Sequence, residues 1–297
     1  MSLLKLLTNN PKALLGVVLV SFFILASAAA PLLTDYDPQR RVGKPHQPPS
    51  EQHLLGTSRM GYDIYSQLLY GGRTSLAVGI GAGTLVTLLA VVLGISSGYF
   101  GGKADEIITF FTNVVLVIPN LPLLLVLAAF LGEVGPWIIG LIIGLTSWAW
   151  GCRIIRAQTL ALREKEFVRA AELIGEPAWR ILFCELLPNL VSIIGITFIG
   201  SVIYAIMTEA TLEFIGLGDP LAVTWGTMLY HAQNSSALLV GAWWEILTPC
   251  IAIATLGAGL SLLNFAVDEI ANPALRNGRA LKRWQQMQLA IRQEAQA

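Results

Sequence analysis

Few residues in this chain have the types and spacing that chemistry needs. Glu209 and Glu213 lie four apart, so on a helix they share one face. A lipid-facing carboxylate is costly, so that face should point inward or toward water. Two readings stay open: an outer gate on a pathway, or a pair of interfacial acids. His46, His53 and His231 are scattered, without HExxH or similar ligand spacing. Cys152, Cys184 and Cys250 have no paired spacing, so no disulfide framework or metal site is indicated. No Walker A sequence, GxSxG elbow or GxGxxG fingerprint occurs. No catalytic residue, metal site or cofactor is therefore expected on this chain. If it does energy-driven work, the motor lies on another chain.

The most informative stretch runs from Arg163 to Asn189. Phe167, Ala170, Ala171 and Ile174 recur at i, i+3, i+4 and i+7, the period of one apolar helical face. Gly175 supplies a left-handed stop, and Pro177 suits the first turn of a second helix. Pro188 is expected to end that helix. Seven charges crowd between Arg163 and Glu176. The stretch 153–188 thus predicts a short helix, a sharp turn and another short helix. It is either a solvated connector or a docking element that seats a rigid helix in a partner's groove.

The elements that must position these residues are membrane spans. Of 297 residues, 55% are apolar and 13% charged, with mean hydropathy +0.65. That excludes an ordinary water-soluble globule and a disordered chain. A net charge of +0 speaks against a nucleic-acid partner. A helix needs about 20 mostly apolar residues to cross the bilayer. Six stretches qualify: 13–33, 76–100, 107–131, a short one at 136–152, 190–212 and 243–267. Backbone groups in lipid must be satisfied within each segment, so an all-α integral membrane protein is expected. With both termini in the cytoplasm, 14 Lys and Arg fall inside and 5 outside, which sets the orientation. Trp137, Trp243 and Trp244 then sit at the outer interface. The first span has a rival reading as a signal peptide cleaved after Ala26-Ser27-Ala28.

Three regions follow: 1–75 with the first span and an outer loop, a five-helix core over 76–275, and a cytoplasmic tail over 276–297. The outer segment 34–75 should begin irregular, around Pro38 and Gln47-Pro-Pro-Ser50. It should then form an amphipathic helix over Ser58–Leu69 that breaks at Gly71-Gly72. Pro119 and Pro122 should kink the third span. Asn113 is a polar group within that span, placed for an interhelical hydrogen bond or for a pathway. The pairs Gly79/Gly83, Gly94/Gly98 and Gly140/Gly144 permit close helix approach, first of all within the chain itself.

The order Glu166-Phe-Val-x-Ala170-Ala171, then Gly175, then Leu187-Pro188-Asn189 resembles the EAA loop of ABC-importer permeases. The wider form is similar to the dipeptide/oligopeptide branch, although Arg169 stands where that motif usually has Glu. Other stretches agree: His53-Leu-Leu-Gly-Thr57, Gly61-Tyr-Asp63, Gly98-Tyr-Phe-Gly-Gly102 with Asp105, and Trp225-Gly-Thr-Met228. So does Glu209 with Phe214-Ile-Gly-Leu-Gly218, while the closing segment near Pro273 and Arg276 fits less well. The resemblance covers roughly 10–276 and points to the second-type permease subunit.

It implies a type I importer half-pore in a prokaryotic cell membrane. Its partners would be a second permease subunit, two ATPase subunits that hold ATP and Mg, and an extracytoplasmic substrate-binding protein. Glu166, Phe167, Arg169, Ala170, Ala171, Ile174 and Gly175 would form a coupling helix riding on an ATPase. Asn113, Glu209 and Glu213 would belong to the pathway, an outer gate or a contact with the binding protein. The cargo would be peptide, with oligosaccharide or a nickel chelate as alternatives. A secondary transporter fits less well, because the chain shows no internal repeat.

Overall fold

A computed structural model describes residues 11–132 and 134–271. The expected cytoplasmic tail 276–297 and the segment at Pro273 and Arg276 lie outside the described residues. The described chain is helical, and five of its helices are long and apolar enough to cross a membrane, six if one bent pair counts as a span. Helix α1 (Pro11–Ala28) is followed by a single turn, α2 (Ala30–Leu33). It packs along the last long helix, where Gly16 meets the backbone around Gly259.

The loop 34–63 is irregular, as expected. Its folding rests on polar pins: a buried His53–Asp63 pair at 2.9 Å and a His46–Glu245 contact at 2.5 Å. Asp63 also caps the next helix, accepting from the Ser66 N–H at 2.8 Å. That helix, α3 (Ile64–Phe100), runs 37 residues without a break, about 55 Å at 1.5 Å per residue.

The separate amphipathic helix ending at Gly71-Gly72 is therefore corrected. The two glycines do not interrupt the helix; they let neighbours approach it. A Cβ on Gly72 would lie 2.6 Å from Ser27 Oγ and 2.8 Å from the Trp225 ring, and one on Gly71 would lie 3.1 Å from the Thr224 backbone. The three GxxxG pairs likewise pack within the chain: Gly79 and Gly83 face Ile206 and Val202, Gly94 and Gly98 face Ile155 and Thr159, and Gly140 and Gly144 face Val78 and Leu85.

Helices α4 (Gly102–Val117) and α5 (Asn120–Leu131) form the bent pair, at 84° to each other. Pro119 sits at the break, while Pro122 lies in the first turn of α5, where a missing N–H costs nothing. Helices α6 (Pro136–Thr146) and α7 (Ala149–Arg163) together make a 28-residue span. The helix expected to break at the end of the span at 152 runs on to Arg163. The arginines that looked like its end have partners on α4: Arg153 donates to Asn113 Oδ1 at 2.8 Å. Arg156 grips Asp105 with two hydrogen bonds of 2.6 Å, beside Ser97.

After α8 (Glu166–Ile174) comes α9 (Ala178–Arg180), a π-helical stretch (Ile181–Leu186) and α10 (Leu187–Phe214). The last three run on as one 37-residue helix. Pro188 therefore does not end the second short helix. Before the proline the ladder widens, and the Leu187 N–H bonds the Leu182 carbonyl, five residues back. A π turn of this kind relaxes the backbone where a proline withholds a donor. Helices α11 (Trp225–Asn234) and α12 (Trp244–Ala271) complete the fold. Ile64, Leu76, Val202, Ile206, Trp225 and Leu256 form the largest buried cluster, between α3, α10, α11 and α12. Phe22, Leu25, Leu88, Phe110, Val126 and Phe130 leave apolar side chains on the outside of the bundle, as lipid requires.

Candidate functional site

Two places gather the residues singled out in the sequence, one at each end of the bundle. At the basic end stands α8, nine residues long. It stops at Gly175, whose φ of +85° is left-handed. The Glu176 N–H returns to the Ala171 carbonyl at 3.1 Å and the Gly175 N–H to Glu172 at 3.1 Å, closing the turn. Pro177, with φ −67°, then starts α9.

Val168 is the anchor of α8. It is fully buried in a cluster with Tyr99, Ile181 and Leu186, and Ala171 packs against the same cluster. Ala171 was expected on the outward face with Phe167, Ala170 and Ile174; it lies on the inward one. The outward face is instead Phe167, Ala170, Leu173 and Ile174, with Leu173 89% and Ile174 80% exposed. Trp179, the second residue of the next helix, is also exposed. Glu166 and Arg169 flank the outward face, and Arg169 pairs with Glu164. Exposed large apolar side chains among charges mark a surface meant to be covered.

At the far end, Glu209 and Glu213 are both buried. Glu209 Oε1 accepts from the Ser75 hydroxyl at 3.3 Å, and Ser75 also receives the Trp225 N–H at 3.3 Å. Glu213 accepts from the Thr224 hydroxyl, which caps α11 in a reciprocal box with Thr227. Room for the Glu213 carboxylate depends on Gly226, where a Cβ would fall 2.5 Å from Oε2. These acids thus tie α10 to α3 and to the start of α11. Asn113 is exposed on α4, away from both acids, held by Arg153 of α7. The three residues are not brought together.

A polar joint that the motif left unread is Asp105–Arg156. It fastens the inner half of the bent pair to α7, with side chains 22% and 29% exposed. Asp105→Ala should destabilise the chain by about 2 kcal/mol, since a charged group loses its bidentate partner. Asp105→Ala with Arg156→Leu should recover part of that loss in thermal unfolding of the detergent-solubilised protein.

Residues 90–277 match the family described as "Binding-protein-dependent transport system inner membrane component". A putative peptide transport system permease protein of Brucella suis biovar 1 is 33% identical over 266 residues, 88% of each chain. The oligopeptide transport system permease protein OppC of Bacillus subtilis is 31% identical over 270 residues, covering 90% of this chain and 87% of the relative. The dipeptide transport system permease protein DppC of the same organism is 31% identical over 275 residues, covering 91% and 84%. With its apolar spans, the chain is a multi-pass protein of the cell's inner membrane. The chain belongs to the family of binding-protein-dependent transport system inner membrane components, the permeases of type I ABC importers.

Proposed function

We propose that this chain is one half of the transmembrane pore of an ATP-driven peptide importer, with α8 as its coupling helix. The reading places the basic end, with α8, in the cytoplasm, following the distribution of Lys and Arg. The single observation that carries the coupling role is the exposed face of Phe167, Leu173 and Ile174 on a helix anchored from behind by Val168. A helix held on one side and bare on the other transmits a rigid-body motion from whatever covers it. Two ATPase subunits, which bind the ATP and Mg, cover this face and its counterpart on a second permease subunit. An extracytoplasmic binding protein delivers the cargo to the far end. Peptide is the cargo because the relatives named above are peptide, oligopeptide and dipeptide permeases.

The test begins with purification from native membranes. ATPase subunits and a second permease should accompany the chain. The complex in proteoliposomes, with ATP inside and loaded binding protein outside, should accumulate a labelled tripeptide. Uptake by the chain alone, driven by an ion gradient without ATP, would overturn the reading in favour of a secondary transporter.

A further inference from the structure

A cavity of about 460 Å³ lies between the two helix breaks and the middle of the bundle. Asn120 comes from the α4–α5 break and Ser147 from the α6–α7 break; Thr197, Ser201 and Tyr204 come from α10 and Asn264 from α12. Its volume falls in the range of small-ligand sites. Interrupted backbone at membrane depth is tolerated where it lines a cavity, and both breaks are found here.

The polar groups of the wall are neutral. No charged side chain lines it among the described residues. The Asn120 amide N–H donates to Ser147 Oγ at 3.4 Å, which leaves its carbonyl free. The Asn120 and Asn264 Oδ1 atoms are both buried and without a hydrogen-bond partner. The Thr197 hydroxyl spends its proton on the Ile193 carbonyl at 2.8 Å, so only its lone pairs remain. The wall offers acceptors at Asn120, Asn264 and Thr197, and the Ser201 and Tyr204 hydroxyls can donate as well as accept. A buried acceptor left unmade costs about 1–3 kcal/mol, so the two unpartnered Asn oxygens suit a ligand that brings N–H groups. Beside the acceptors stand the broad faces of Trp150 and Tyr204.

We propose that this cavity is a transit site for the peptide main chain, in which Asn120 and Asn264 accept hydrogen bonds from backbone N–H groups of the cargo. The proposal rests on the peptide-importer reading. Neutral acceptors grip what every peptide shares and ignore the charge of its side chains. Neither Glu209, Glu213 nor Asn113 takes part, since none of them lines the cavity.

The experiment uses the reconstituted complex with saturating binding protein and two cargoes: a labelled tri-alanine peptide and its depsipeptide, in which one amide N–H is replaced by an ester oxygen. Saturation removes differences in capture by the binding protein. The wild-type complex should carry the ester about tenfold more slowly at saturation, the worth of one buried hydrogen bond. Asn264→Leu and Asn120→Leu should each slow the amide peptide about tenfold, and in each the ester penalty should shrink. Subunit co-purification should be unchanged, which shows that the variants fold and assemble. Equal rates for amide and ester in the wild type would overturn the proposal without reliance on any variant, leaving a water-filled conduit only. The same ester penalty in wild type and variants would also overturn it. Absence of peptide uptake by an assembled wild-type complex would overturn the peptide reading itself, and this proposal with it.

Discussion

Gly175→Val should uncouple transport from ATP hydrolysis while leaving the chain inserted and assembled with its neighbours in the membrane. The reason is conformational and not steric. Gly175 holds a φ of +85°, yet a Cβ built on it would meet nothing within 4 Å. A left-handed conformation costs an L-residue about 1–2 kcal/mol, and a β-branched residue there is a worse outlier. The backbone should escape the strain by opening the turn that the Glu176 N–H closes on Ala171. Helix α8 would then leave α9 at a different angle, and its bare face would miss its groove. Uptake in proteoliposomes should fall at least tenfold, and ATP hydrolysis should lose its dependence on loaded binding protein. Gly175→Asn should retain most of the activity, because Asn tolerates the left-handed region. Wild-type uptake and stimulation in the valine variant would remove Gly175 as the pivot.

Placing a carboxylate on either side of α8 should give opposite phenotypes. Val168→Asp buries a charge with no partner among Tyr99, Ile181 and Leu186. The expected cost is about 3–5 kcal/mol, so thermal unfolding should come markedly earlier and expression should drop. Ile174→Asp changes a side chain that is 80% exposed. Stability of the isolated chain should move by less than about 0.5 kcal/mol. Removing an apolar anchor from a covered interface forfeits about 1.5–3 kcal/mol, so ATPase subunits should be lost on washing. The two measurements are the melting of the isolated chain and the ATPase content of the purified complex. A stable Val168→Asp chain would show that α8 is not anchored through this residue. Full ATPase retention by Ile174→Asp would show that the outer face is not the docking face.

The parts of this molecule legible in the sequence were those set by local chemistry. A run of apolar residues must become a helix in lipid, and Gly175 followed by Pro177 dictates a stop and a restart. What the sequence concealed was set by neighbours. Helix α8 is apolar on two sides, and its period cannot say which side finds Tyr99 and Ile181; that is why Ala171 faces inward. Gly71-Gly72 has the signature of a break, but here the missing side chains admit Trp225 and Ser27. Arg153 and Arg156 resembled the end of a span until Asn113 and Asp105 appeared as their partners. Pro188 carries a strong local signal for a stop, and a π turn absorbed it. The cavity left no motif, because its residues come from five distant segments.

On the proposed reading, the unbroken helix from Ala178 to Phe214 would work as a lever. Its 37 residues extend about 55 Å. One end carries Ile181 and Leu186, against which α8 is seated. The other carries Glu209 and Glu213, bolted to Ser75 and Thr224. A push on the seated end would then reach the bolted end through the helix itself and through α3 and α12, which pack along it. A tilt of about 10° about one end sweeps the other through roughly 10 Å over such a length, enough to open or shut a passage for a peptide. The six-residue π segment beside Pro188 is then the most compliant point of the beam, set close to where the force is applied.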